Sequence, residues 1–397
     1  MILPVKAILM AKTVKLSVSP VMAQVVFAYI FFCLIMAGGS IAADSVIKEF
    51  IIPIPAVSPA RIAIVNDGSR DIWLTYQNEN KILRFTQSDN AFKEYVIPYP
   101  GVPAGIAATK DGTIWIANSS GNNIISFNPS TDKFSRFPIK TADSNPYDLA
   151  VASSGTVWFI EREGNKIGSL SPETGVIKEY PIPTPSSHPS AIAIDKKGIV
   201  WITEMDGNKL ASLDPANGKV IEYIIPTPFA SPSSIAVDSN GMVWFAEMLT
   251  GRIGMFNPAS KVFNEVIVPT LSPVISSIAI DQKGLVWFVE NRGNKIGVFD
   301  PVSAVVNEYE IPTSKSLPTS IAVDRDGVAW FTESDRDANR IGRLDIADTL
   351  KVGKKHEGSG NDDKSDRISQ ITLMVFVAVV SITLLAFGIR SIKRKGK

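Results

Sequence analysis

From about residue 46 to residue 345 the chain is written in short apolar runs broken by turn-forming residues. The stretch Pro189 to Pro232 shows the pattern in full: "SAIAID", "IVWITE", "KLASLD" and "KVIEYIIP" are separated by "KKG", "MDGN" and "PANG". Runs rich in β-branched and aromatic residues, bounded by Gly, Asn and Pro, predict four short strands in an antiparallel meander. Runs such as "IAI" and "VWF" are apolar on consecutive residues instead of alternating, which predicts a sheet covered on both faces.

The pattern repeats. "VWFIEREGNKI" at Val157 to Ile167 returns as "VWITEMDGNKL" at Val200 to Leu210 and "VWFVENRGNKI" at Val286 to Ile296. The seven tryptophans, Trp73, Trp115, Trp158, Trp201, Trp244, Trp287 and Trp330, are spaced by 42 residues once and by 43 five times. A period in the low forties with four strands per repeat predicts an all-β, seven-bladed β-propeller of four-stranded antiparallel blades over residues 44–346, each tryptophan packing between neighbouring blades. A solenoid would need atypical capping repeats, and the chain shows none. The last repeat instead stops after "NRIGRLD", Asn339 to Asp345, without a fourth strand, while "VIKEFIIPIP" at Val46 to Pro55 matches the fourth-strand sequence "VIKEYPIPTP" at Val176 to Pro185. Residues 46–52 are therefore expected to pair with the strand around Ile341 and close the ring, which removes both exposed sheet edges.

The flanks read differently. Lys6, Lys12 and Lys15, the apolar run from Val25 to about Gly39 and the small residues Ser40 to Ala43 form the parts of a secretory signal over residues 1–43. Residues 368–389, "ISQITLMVFVAVVSITLLAFGI", carry no charge and at 1.5 Å per residue would reach roughly 33 Å, enough to cross a bilayer. The basic tail at 390–397 then places that end in the cytoplasm and the propeller outside, as a single-pass protein of the cell membrane, with the polar stretch 347–367 as a tether. The only cysteine, Cys33, lies inside the leading apolar run, so the propeller has no disulfide, thiol nucleophile or thiolate metal site. Forty Lys and Arg against 39 Asp and Glu leave no basic footprint for nucleic acid.

Three residues after the tryptophans stand Tyr76, Asn118, Glu161, Glu204, Glu247, Glu290 and Glu333. Five successive blades thus place a carboxylate where the second strand enters its loop. The residues that open each first strand, such as Pro146-Tyr147 and Pro318-Thr319, return to the same face by chain reversal. That face is the candidate binding site, with Glu161, Glu204, Glu247, Glu290, Glu333 and Tyr147 as its residues. Like charges on a ring need compensation, and two sources are open. Lys166, Lys209, Arg252 and Lys295, five residues after their glutamates, and Arg340 offer salt bridges across the hairpins. Alternatively a divalent cation, Mg2+ or Ca2+, is held by carboxylate oxygens, with Glu290 and Glu333 as candidate ligands. The turns "DKKG", "DSNG", "DQKG" and "DRDG", opened by Asp195, Asp238, Asp281 and Asp324, lack the spacing of a calcium loop and read as ordinary hairpin turns.

The first-half pattern PxxIAxDxxGxVWFxE, the "NKIG" continuation and the "EYPIPTP" strand together resemble the streptogramin lyase (virginiamycin B lyase) family over essentially all of residues 46–345. The resemblance implies a seven-bladed propeller, and for an active member the magnesium-assisted elimination that opens a cyclic depsipeptide. In that family a histidine after the proline of a first strand is the base; here the corresponding residues are Ala60, Ala104, Tyr147, Ser190, Ser233, Ser276 and Thr319. One family metal-ligand glutamate is matched by Glu333 and the other corresponds to Leu317. His188, next to Pro189, stands close to the family's histidine position without occupying it, and His356 falls in the tether. Two functions are expected from this: a membrane-anchored extracellular module that binds a small molecule or cell-surface partner, or a magnesium-dependent lyase or lactone hydrolase with a base other than the family's histidine.

Overall fold

The structure is a computed structural model, and it describes residues 46–54, 58–65, 68–76 and 79–346. The signal, tether, membrane-helix and tail segments expected at 1–43, 347–367, 368–389 and 390–397 lie outside the described residues. Among the described residues no helix is long and apolar enough to cross a membrane.

Among the described residues, twenty-eight strands form seven four-stranded antiparallel sheets. Blade 4 is representative: Pro189–Ile194, Val200–Glu204, Lys209–Asp214 and Lys219–Ile224 pair in sequence order. All five residues of each second strand are buried, which accounts for their unbroken apolar character. Side chains alternate across the second strand, so Val157 and Phe159 join the core shared with blade 2 while Trp158 and Ile160 join the core shared with blade 4. Each of the hydrophobic clusters between blades contains one tryptophan in this way.

The seventh blade is closed by the amino-terminal strand. Ile47–Ile51 runs antiparallel to Arg340–Leu344, with Ile47 opposite Leu344 and Phe50 opposite Ile341, as the sequence match predicted. The closing strand also reproduces a hydrogen-bonding unit found in other blades. Glu179, Glu222, Glu265 and Glu308 on fourth strands each accept from the backbone N–H and hydroxyl of a threonine in the preceding blade's exit loop: Thr141, Thr184, Thr227 and Thr270. Glu49 does the same for Thr313 across the chain closure, at 2.8 and 3.0 Å.

The tip turns are held by their aspartates. Asp238 Oδ1 accepts from the N–H groups of Asn240 and Met242, and its Oδ2 accepts from Trp244 Nε1 at 3.1 Å. Asp195 and Asp281 make the same contacts to Trp201 and Trp287. Removing the acceptor in Asp238→Ala leaves the indole N–H and two turn N–H groups unpaired, so a loss of about 2 kcal/mol is expected by urea denaturation. A change within about 0.5 kcal/mol would mean that water replaces the carboxylate at no cost.

Candidate ligand-binding site

The first strands of neighbouring blades lie side by side around the axis. Every one of them shifts register at its start, between Pro146 and Asp148, Pro189 and Ala191, Pro232 and Ser234, and at equivalent places in the other blades. A bulge of this kind re-aims a side chain. The residues it carries inward, Ala60, Ala104, Tyr147, Ser190, Ser233, Ser276 and Thr319, line a cavity of about 370 Å3 at the channel mouth. These seven are the positions that correspond to the family's base. Ser119, Met205 and Met248, each immediately after the end of a second strand, complete much of the wall with Arg61, Val102 and Pro103.

Around most of the ring the hydroxyls serve as staples between blades. Ser190 donates to Pro232 O at 2.7 Å, Ser233 to Ile275 O at 3.0 Å, Ser276 to Thr319 O at 3.0 Å, and Thr319 to Ala60 O at 3.1 Å. A second belt lies one residue further along the strand: Ser234, Ser277, Ser320 and Asp148 accept the N–H groups of Ile278, Ile321, Ile62 and Ile192 from the next blade. Inner strands that share no ladder are thereby joined through side chains, which satisfies backbone groups beside the channel.

The side formed by blades 1 to 3 is different. The Tyr147 ring has the Arg162 guanidinium 4.6 Å from its centroid and that of Arg61 at 5.5 Å. Burial acts against the Arg61 charge, but the Asp148 carboxylate and the Tyr147 phenol together outweigh it and hold the guanidinium above its usual range; burial raises the Asp148 carboxyl above its usual range, with Arg61 opposing. Gly105 sits between them because a Cβ there would come within 2.7 Å of Asp148 Cα and 3.0 Å of Tyr147 O. At the rim, His188 is held between Asp206, hydrogen-bonded to Nδ1, and Glu163, 3.6 Å from Nε2.

Of the site residues expected from sequence, Tyr147 lines the cavity and the glutamates do not. Glu161, Glu204, Glu247, Glu290 and Glu333 are each 0% exposed, beneath the face instead of on it. Glycines three residues on make the space: a Cβ at Gly164, Gly207 or Gly293 would lie 2.9, 2.8 or 2.5 Å from the preceding glutamate's Oε2. Both oxygens of Glu161, Glu204, Glu290 and Glu333 are without a hydrogen-bond partner, whereas Glu247 accepts from Thr250 at 2.6 Å. Burial accordingly pushes the carboxyls of Glu161, Glu204, Glu247 and Glu290 up to about 7 and that of Glu333 up to about 8.

The expected salt bridges across the hairpins take another course. Lys166 stands opposite Glu161 in the ladder, but its ammonium reaches Glu179 on the outer strand at 2.9 Å; Lys209 and Lys295 likewise reach Glu222 at 2.6 Å and Glu308 at 2.9 Å. The outer carboxylates keep 15–17% of their side-chain surface exposed and the lysines 22–28%, so the ion pair stays partly hydrated there, which favours the diagonal over the fully buried partner. The bulge residues Ser190, Ser233, Ser276 and Thr319, together with Arg61, Arg162, Met205 and Met248, were not singled out as binding residues from sequence. The proline that opens most of the first strands was the available marker of the bulge.

The residues present do not fit a magnesium ion. Glu333 is enclosed, the second ligand position is Leu317, Glu290 belongs to the neighbouring blade, and among the described residues no three His, Cys, Asp or Glu side chains are grouped to hold a metal.

Fold and pocket together define a seven-bladed propeller with a small-molecule-sized cavity at one mouth of its channel. The family model for the virginiamycin B lyase family matches residues 30–213 and 132–354, and the chain belongs to that family. Among solved structures, a streptogramin B lyase is 28% identical, with a TM-score of 0.70 over 75% of this chain and 97% of that one. Virginiamycin B lyase from Staphylococcus aureus is 26% identical, with a TM-score of 0.69 over 75% of this chain and 98% of that one. A catalytically inactive form of the same enzyme with Quinupristin gives the same identity, coverage and TM-score. None of the curated proteins matches the chain.

Proposed function

We propose that this protein is a membrane-anchored, extracellular propeller that binds a small molecule or the exposed part of a cell-surface partner in its channel cavity without lyase turnover. The observation that carries this reading is the cavity wall itself: none of its seven bulge positions holds a titratable base of the histidine or carboxylate type. Four of them are hydroxyls fixed to backbone carbonyls, which makes them structural and leaves a preformed concave surface. The uncharged run at 368–389 and the basic tail after it support the anchoring. Both described ends, Val46 and Ile346, leave the blades at the end of the strands away from the channel mouth, since Ile47 pairs with Leu344 while Ile51 pairs with Arg340 at the mouth side. An anchor on either end therefore keeps the cavity open to ligand.

A lyase or lactone hydrolase is the second reading, favoured by family membership and by His188, whose ring is oriented by Asp206 in the manner of a general base. Incubating the full-length protein with Quinupristin and magnesium, followed by mass spectrometry, separates the two. Intact cyclic compound accompanied by a ligand-induced rise in melting temperature is expected. Ring opening that disappears in His188→Ala would establish the second reading in its place.

A further inference from the structure

The hydroxyls in the cavity wall are already committed. Ser119 donates to Val102 O at 3.0 Å, and Ser190, Ser233, Ser276 and Thr319 donate across the blade interfaces. Among the described residues at the cavity, the charged donors are on one side: the Arg61 guanidinium in the wall and that of Arg162 against the Tyr147 ring. Arg61 is balanced by Asp148, which also accepts the Ile192 N–H. Arg162 has no such balance. Its Nη2 meets Met205 Sδ at 3.7 Å, and the neighbouring acids Glu163 and Asp206 are both turned to His188. This half-buried guanidinium thus lies directly behind two residues of the cavity wall, Tyr147 and Met205, and the rest of the wall near it is apolar: Val102, Pro103, Ala104 and Met248.

We infer that the Arg162–Tyr147–Arg61 side of the channel is a carboxylate subsite, and that the ligand of this pocket joins one carboxylate to an apolar body. This rests on the proposal that the channel cavity is the binding site. A planar guanidinium stacked on an aromatic ring keeps its N–H edge free and pre-oriented, the geometry that takes a carboxylate through two parallel hydrogen bonds. The methionine sulfurs and methylenes opposite suit an apolar group of variable shape.

The methyl groups of Met205 and Met248 report occupancy whatever the ligand's charge. The full-length protein labelled with 13C in its methionine methyls is titrated with octanoate, 4-phenylbutyrate and 3-indolepropionate, and with the primary amide of each, with Met205→Leu and Met248→Leu used to assign the signals. The acids are expected to shift both methyls with about 10-fold lower Kd than the amides, the difference made by a charge-assisted pair. Arg162→Gln should erase that preference while the amides bind as before, and Arg162→Lys should restore part of it. Acids and amides binding equally, or a preference that survives Arg162→Gln, overturns the carboxylate subsite and leaves the pocket reading in place. If no compound of either class moves the two methyls, the pocket reading fails and this inference with it.

Discussion

Deleting residues 44–55 is expected to lower the thermal midpoint of the propeller by about 10–20 °C, or to prevent folding at physiological temperature. The closing strand buries Ile47, and the residue after it, Ile52, is 1% exposed. Phe50 stacks on Trp330 at 5.6 Å and meets Phe85 of blade 1 at 5.0 Å, so its ring joins the first and last blades. Two or three apolar side chains at about 1.5–3 kcal/mol each come to roughly 5 kcal/mol. Their loss also exposes the edge of Arg340–Leu344 and frees Thr313 from Glu49. The single change Phe50→Ala should cost about 3 kcal/mol, because the cavity it leaves is walled by two rings that cannot both move in. Calorimetry of the two variants decides the matter. A midpoint within a degree or two of the parent for the deletion would show that the ring closes without its amino-terminal strand.

The blades and their closure were legible because a period of 43 residues is a geometric statement, and because "VIKEF" and "VIKEY" are nearly the same strand. The position of the glutamates was harder to read. Glutamate is almost never fully buried without a partner, so a carboxylate at a strand end suggests a surface. The contrary signal lay three residues on, where Gly164, Gly207 and Gly293 leave room for the carboxyl under the hairpin. The cavity was less legible still. A bulge is set by the crowding of first strands around the axis, and sequence records it only as Pro146-Tyr147, Pro189-Ser190 or Pro318-Thr319, which read equally well as plain strand starts. Nor does sequence reveal that a serine in such a place is already bonded to the next blade. Arg61 of blade 1 meets Tyr147 of blade 3 across blade 2, where a Cβ on Gly105 would strike the Tyr147 and Asp148 backbone, a relation between three repeats that no single repeat contains.

The buried carboxyls should make the propeller most stable near pH 5 and less stable toward pH 8. Unfolded glutamates titrate at about 4.5, while Glu161, Glu204, Glu247 and Glu290 are held up to about 7 and Glu333 up to about 8, chiefly by burial. Between those values the folded state binds more protons than the unfolded chain, so unfolding free energy falls as pH rises through the window. A shift of that size is worth about 3 kcal/mol for one isolated group, and the five together should give a loss of several kcal/mol. The outer glutamates act in the opposite sense. For Glu179, Glu222 and Glu308 burial would raise the carboxyl, but hydrogen bonds from lysine and threonine outweigh it and hold the group below its usual range. Their contribution is present above about pH 4.5 and is lost as the pH falls through their lowered folded values. The two sets therefore place the maximum between the windows, and urea denaturation from pH 4 to 8.5 should trace it. Glu204→Gln and Glu290→Gln keep the shape of the carboxylic acid without its ionisation. Each is expected to leave stability at pH 5 nearly unchanged, to raise it at pH 8 by about 1–3 kcal/mol, and to flatten the slope between. A parent curve that is level or climbs from pH 5 to 8 would show instead that these carboxylates are charged in the folded protein, with compensation from groups other than those that surround them here.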